Sequence, residues 1–415
     1  MAMERTEPLK AEQFTTARSA QPRWYRATNR VGGLLPRFGD LHPERLFAQA
    51  RKVHSGLGDA KPETVAALEA LTSSLREDAT LSFLGRIGAK MDCGRMAEQH
   101  LLIERELAER PEIRETELPP VIFHVGWMRT GSTYTHRLWA ADPANRTVPY
   151  FESMFPVPPR QGPDDRLARC DALIAKIHRV APAFEAIHPT AADAPEECVP
   201  FFSNVFRSPT FNVQYRIPSY IDWLLKQDAR IGYGQYREQL QIMHFHRPRG
   251  DRLVLKDPTH SVFLPAILEL FPNARFVFTH RDPVVSLSSM CSLYAYTRAV
   301  FSDDVDPKAI GPELIESYLP ASLGSALEVL DSLAPGRVAH VLQRETRTDP
   351  VGSVERAYAQ LGMELDDAGR AGIVAFIEAD RRGPKHVHRH SIEAFGLRPE
   401  AVRERLASYC QRFDV

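Results

Sequence analysis

Gly126-Trp127-Met128-Arg129-Thr130-Gly131-Ser132-Thr133 puts two glycines, three hydroxyls and one cation into eight residues. The group follows the apolar run Val121-Ile122-Phe123-His124-Val125, so it reads as strand, glycine-flanked turn, helix. In a phosphate-binding loop of the form G-x-x-x-x-G-K-[ST], backbone N–H groups and a helix N-terminus cradle phosphates while lysine reaches the terminal one. Here the glycine spacing and the final hydroxyl of Thr133 are kept, but Ser132 fills the lysine slot and Arg129 is the sole cation. Such a loop holds an anionic group without the usual grip on a nucleotide γ-phosphate.

A second set of residues narrows the ligand. Arg275-Phe276-Val277-Phe278-Thr279 is a short apolar run of buried-strand type that leads into His280-Arg281-Asp282-Pro283. Arg281 then stands at a strand end, and Ser289 lies about two turns into the following helix at ~3.6 residues per turn. A guanidinium and a hydroxyl suit one isolated phosphate. Two anion sites on one sheet call for a nucleotide phosphorylated at both ends. For proton removal, His260 stands four residues after Lys256 beyond another strand end, and an imidazole with an unperturbed pKa near ~6.5 fits that task.

The elements that must hold these residues alternate. Strands are expected at 121–125, Leu253–Leu255, Phe276–Thr279 and Val338–Leu342, with a crossover helix from Thr133 to Ala140. That pattern predicts an α/β fold with a P-loop-like, doubly wound parallel sheet flanked by helices, its ligands outside the strand C-termini at the switch point. Before about Leu118, Val65, Leu68, Leu71 and Leu75 recur at helical spacing behind Pro62, and Leu84, Ile87, Met91, Leu101, Ile103 and Leu107 continue helical segments. We therefore divide the chain into an N-terminal helical region, residues 1–117, and an α/β domain, residues 118–415. The aromatic- and proline-rich stretch 151–245 reads as a helical insertion on the acceptor side.

These separated segments resemble the bacterial sulfotransferases that use 3′-phosphoadenosine 5′-phosphosulfate (PAPS). The likeness lies in the loop, in Val254-Leu255-Lys256-Asp257-Pro258-Thr259-His260, in Phe271-Pro272-Asn273-Ala274-Arg275 through His280-Arg281-Asp282-Pro283, and in Arg389-His390-Ser391 through Phe395-Gly396-Leu397. It covers most of the chain in one order. The resemblance implies a PAPS-dependent enzyme in which Arg129, Thr130, Gly131, Ser132 and Thr133 hold the 5′-phosphosulfate. It implies further that Arg281 and Ser289 hold the 3′-phosphate, and that Arg382 and Lys385 belong to a loop over the nucleotide. Lys256 matches the position that stabilises charge on the bridging oxygen. Glu152, in Pro149-Tyr150-Phe151-Glu152, matches the place of a catalytic glutamate in some branches and is the alternative base to His260. Glu196-Glu197, after Asp193-Ala194-Pro195, resembles a recurring segment that is acceptor-side or structural. The chain departs from many relatives at Met128, where they carry proline, and at Gln343-Arg344-Glu345-Thr346, where they carry a tyrosine-containing segment.

Composition bounds the partners. Lysine and arginine number 52 against 53 acidic residues, so no global field draws nucleic acid or anionic membrane and the basic residues must act locally. No apolar stretch approaches the ~20 residues of a membrane span and the first residues lack a signal-peptide core, which is the pattern of a cytoplasmic enzyme. Five scattered cysteines without C-x-x-C spacing argue for reduced thiols. His386, His388 and His390 alternate but have no completing carboxylate or cysteine, so no metal is expected. The expected partner is a small-molecule or carrier-bound acceptor with a hydroxyl or amine, and homo-oligomerisation stays open. Two other readings remain: a P-loop kinase, which should carry a loop lysine and a magnesium-binding acid, and a catalytically inactive nucleotide-binding protein.

Overall fold

Five parallel strands lie in the order β2-β3-β1-β4-β5: β1 (Val121–Gly126), β2 (Asn145–Arg146), β3 (Arg252–Lys256), β4 (Arg275–His280) and β5 (Val338–Leu342). The computed structural model describes residues 21–34, 41–317, 320–382 and 389–415. Strand β2 has no counterpart among the expected elements, because two residues pairing at the sheet edge carry no periodic signal.

Side-chain alternation sorts the core into two layers. Phe123 and Val125 of β1, Leu253 and Leu255 of β3, and Phe276 and Phe278 of β4 enter the larger cluster on one face. Ile122, Val254, Val277, Ala339 and Val341 face the other way, against Leu138, Trp139 and Tyr358. Both faces of the three central strands are thus covered, which is why they read as continuous apolar runs rather than alternating ones. Strand β1 sits between β3 and β4, so the chain winds outward from it in both directions and opens a crevice at the C-terminal strand ends.

The helices ahead of the sheet are α1 (Arg23–Gly32), α2 (Pro43–Val53), α3 (Pro62–Glu77) and α4 (Phe83–Glu109). Pro62 opens α3 at a position where its missing N–H costs nothing. Leu68, Leu71 and Leu75 are buried against Leu46, Phe47, Met96 and Leu101, and the same cluster takes in Phe206, Phe211, Tyr215 and Tyr220. The N-terminal helices and the insertion therefore share one core. Met91, which continues the apolar pattern, is 60% exposed. The crossover helix is α5 (Ser132–Ala140), and the regular elements described between residues 150 and 246 are helices, the longest being α6 (Arg166–Val180) and α7 (Ala229–His246). Helix α8 (Pro283–Phe301) follows β4, and α9 (Pro350–Gln360) and α10 (Asp367–Arg382) follow β5.

Candidate active site

The loop between β1 and α5 is shaped by backbone that few side chains tolerate. Gly126 has φ 123° and lies against Thr279, where an added Cβ would sit 3.1 Å from the Thr279 carbonyl oxygen. Gly131 has φ 85°, and a Cβ there would meet Gln343 at 2.7 Å. Ser261 fixes the entry by donating from Oγ to the Gly126 carbonyl at 3.0 Å and accepting from its N–H at 2.8 Å. Thr130 Oγ1 donates to the Trp127 carbonyl and lies 2.6 Å from Thr279 Oγ1, so this hydroxyl braces the loop and leaves Thr130 only its amide for a ligand. No side chain caps the N-terminus of α5, leaving the Ser132 and Thr133 amides directed at the crevice.

Arg129 also has positive φ, 66°, a conformation costing roughly 1 to 3 kcal/mol in a residue with a side chain and one that clusters at functional sites. That turn carries its guanidinium across the crevice. Nε donates to Ser289 Oγ at 3.0 Å and Nη2 to the Ile187 carbonyl at 2.9 Å, while Arg281 Nη1 donates to the Arg129 carbonyl at 2.9 Å. The loop arginine and the Arg281–Ser289 pair, separate in sequence, thus form one basic rim. His390 joins it through a 2.8 Å hydrogen bond between Nδ1 and Ser288 Oγ. Burial, then Arg281 and Arg129, push the His390 imidazole down to about 4. Burial also lowers Arg281, with Arg347 adding to the effect. Among the described residues no carboxylate forms an ion pair with Arg129 or Arg281; Glu197 and Asp282 offset their charge only from a distance, an arrangement suited to an incoming dianion.

Lys256, at the C-terminal end of β3, is buried and donates to Thr133 Oγ1 at 3.0 Å and to Glu197 Oε1 at 2.6 Å. Its partner is therefore Glu197, neither Asp257 nor Glu152. The Cys198 N–H donates to the Lys256 carbonyl at 2.9 Å, which ties the 196–198 segment to the strand end. Glu197 is one-fifth exposed, and its charge also opposes the burial-driven lowering of the Arg129 pKa. Lys256 reaches the β1–α5 loop at Thr133 and Arg281 reaches it at the Arg129 carbonyl, so the lysine–glutamate pair and the basic rim flank one loop. Beneath them Asp257 Oδ1 accepts from the Thr259 N–H and hydroxyl, Oδ2 is buried without a partner, and burial together with Glu197 pushes this carboxyl up.

Two residues expected to be catalytic, His260 and Glu152, are buried. The turn Pro258–Phe263, capped by Asp257, coils His260 into the core instead of leaving it at the open strand edge. Its ring is fully buried, edge-on to Phe123 at 5.0 Å and Phe202 at 5.8 Å, with Nδ1 2.8 Å from the Tyr233 hydroxyl. Burial pushes it down to about 3, so it stays neutral at physiological pH. Glu152 is 4% exposed with one oxygen 3.4 Å from Arg146 and the other 3.1 Å from Arg247, a closed structural ion network. Arg382, at the end of α10, is 81% exposed and 3.8 Å from Glu378. Lys385, His386 and His388 lie outside the described residues. Among the described residues no three metal-ligating side chains gather. Glu197 is the functional candidate that spacing alone did not single out; its signal was the acidic pair in a segment already resembling a family one.

Residues 120–367 match the model of the sulfotransferase family. The chain is 26% identical over 256 residues to proteins of Mycobacterium bovis and Mycobacterium tuberculosis named omega-hydroxy-beta-dihydromenaquinone-9 sulfotransferase Stf3, a match covering 59% of this chain and 63% of theirs. It is similar in structure to sulfotransferase STF1 of Mycobacterium tuberculosis H37Rv, with TM-score 0.77 and 27% identity over 89% of this chain and 100% of that one. Sulfotransferase STF9 of Mycobacterium avium superposes with TM-score 0.80 at 22% identity over 91% of this chain and 97% of that one, a likeness of fold.

Proposed function

Because the chain belongs to the sulfotransferase family, we propose that it moves a sulfuryl group from PAPS to a hydroxyl on an apolar acceptor. The observation that carries this reading is the β1–α5 loop, contacted by Arg281 at the Arg129 carbonyl and by the Glu197-paired Lys256 at Thr133. In this reading the α5 amides and Arg129 hold the 5′-phosphosulfate, and Arg281 and Ser289 hold the 3′-phosphate. Glu197 takes the acceptor proton as the new O–S bond forms. The S–O bond to the phosphate breaks, and Lys256 and Arg129 neutralise the charge left on the bridging oxygen, releasing adenosine 3′,5′-bisphosphate.

Glu197 is preferred over His260 and Glu152 because it alone of the three is partly open and held by a single cation. His260 instead props a wall. Its Tyr233 partner and its neighbour Thr259 line a narrow cleft of about 20 Å³ together with Phe202, Leu224 and Phe263, rimmed by Arg207, Gln227 and Asp228. The omega-hydroxy-beta-dihydromenaquinone-9 in the name of the mycobacterial relatives supports an apolar alcohol as acceptor.

Calorimetry without magnesium tests the donor site. Adenosine 3′,5′-bisphosphate is expected to bind tighter than ATP, Arg129→Ala to weaken binding by roughly 2 to 4 kcal/mol, and Arg281→Ala to erase the preference over AMP. Transfer of labelled sulfate from PAPS to hydroxylated isoprenoids then tests turnover. Magnesium-dependent ATP binding with no preference for the bisphosphate would overturn the reading in favour of a kinase.

A further inference from the structure

Helix α1 has three longitudinal faces. Tyr25, Asn29 and Gly32 point into the protein: the Tyr25 hydroxyl donates to the Val300 carbonyl at 2.6 Å, Asn29 Oδ1 accepts from the Leu84 N–H at 2.8 Å, and Gly32 lies against the Phe83 ring. Gln21 adds a hydrogen bond to the Ala299 carbonyl. The helix is therefore fixed in roll by its inner face. Its outer surface carries Trp24, Ala27, Val31 and, in the turn just beyond, Leu34, which at three and four residues apart form one row. Trp24 is 49% exposed, Val31 67% and Leu34 81%. Beside this row, at the same spacing, run Arg23, Arg26 and Arg30, all exposed. The helix contains no acidic residue, and among the described residues none of the three arginines has an ion pair.

An exposed apolar row flanked by an unneutralised basic row is the pattern of a helix lying in a membrane interface, its apolar side chains entering the acyl boundary and its cations meeting headgroup phosphates. A nucleic acid would use the arginines and leave the tryptophan, valine and leucine in water. We propose that this face of α1 docks on an anionic lipid surface. The near-zero net charge of the chain makes this a local attraction. The inference is independent of the donor and acceptor assignments. Its geometric link to them is α8: the segment anchoring Tyr25 and Gln21 ends the helix on which Ser289 lies, roughly 16 Å away at ~1.5 Å per residue.

The full chain should co-sediment with vesicles of phosphatidylcholine and phosphatidylglycerol and not with phosphatidylcholine alone, and salt should weaken the binding. Replacing Arg23, Arg26 and Arg30 together by Gln should lower partitioning about 100-fold. Trp24→Ser with Val31→Ser and Leu34→Ser should lower it at least tenfold. The arginine set should leave the thermal midpoint unchanged, since its side chains are exposed, and the apolar set should lower it only slightly, through the half of Trp24 that packs beside Tyr25. Equal binding to both vesicle types, or variants that bind like the parent chain, would overturn the proposal. So would a fall in the mass measured by light scattering in the variants, which would assign the face to a second copy, or binding that appears only once residues 1–20 are removed, which would assign it to those residues.

Discussion

Glu152 and Glu197 are both glutamates held against cations, and in the proposed reading the difference between their surroundings separates scaffold from chemistry. Glu152 has an arginine on each carboxylate oxygen and is 4% exposed, so both oxygens are turned to Arg146 and Arg247 and away from solvent. Glu197 shares Lys256 with a threonine of the donor loop and keeps partial access to the crevice. A base must be held firmly enough to be aimed and loosely enough to accept. His260 fails the second condition for a different reason: no partner cation binds it, yet aromatic rings close around it.

The contrast breaks most sharply at Glu197. Replacing it by Gln keeps shape and removes the proton acceptor, a loss typically worth ~100 to 10,000-fold in rate. Turnover should fall by that order while adenosine 3′,5′-bisphosphate affinity stays within a few-fold. Glu152→Gln should do the reverse. Leaving a buried arginine short of its counter-charge costs about 3 kcal/mol or more, so a lower urea midpoint is expected with near-native turnover per folded molecule. A Glu197→Gln enzyme with full turnover, or a stable Glu152→Gln enzyme without any, would exchange the two roles.

The strand-forming runs and the first loop were legible because sheet alternation and glycine spacing are local properties of the chain. Four of five strands and the crossover helix lie where periodicity put them. The convergence of Arg129 with Ser289 was not legible, since it depends on a positive φ at a non-glycine residue and on where α8 passes the loop. The fate of His260 was hidden for a related reason. A histidine four residues past a strand end turns outward or inward according to the intervening turn, and the proline-started 3₁₀ turn here takes it inward. Lys256 was placed correctly at its strand end, but its partner comes from an insertion whose path carries no periodic signal.

A smaller effect sharpens the view of His260 as scaffold. Burial pushes its pKa down to about 3, whereas in the unfolded chain it titrates near ~6.5. The unfolded state therefore binds the extra proton between those values, and the stability tied to the neutral ring is complete above ~6.5 and lost as pH falls toward 3, at about 1.4 kcal/mol per pH unit. His100 and His136, also pushed to about 3, add to the acid sensitivity. Substituting Phe at 260 should make the stability difference from the parent chain vary with that slope between pH 6 and 4, read from urea melts across the range. A flat difference would mean the ring titrates freely, as an accessible base would.

The smallest effect concerns the rim, where His390 distinguishes an empty site from a filled one. Without ligand, burial and the two arginines keep its pKa near about 4, so the ring is neutral at pH 6. In the proposed reading a phosphate dianion settling between Arg129 and Arg281 would offset their field and favour the imidazolium, so the bound state is expected to take up a proton that the free protein does not hold. Affinity gained through this ring therefore rises as pH falls from 7 toward 5, against the opposite trend from protonation of the phosphate itself (second pKa ~6). His390→Gln separates the two, because it removes the ring and leaves the phosphate. Calorimetry of adenosine 3′,5′-bisphosphate in buffers of different ionisation heat should count fewer protons taken up by the variant at pH 6, with an affinity loss below about tenfold, the ~1.4 kcal/mol equivalent of one pKa unit. Equal proton uptake by both chains would place His390 outside the field of the bound phosphate and leave Arg129, Arg281 and Ser289 to hold it alone.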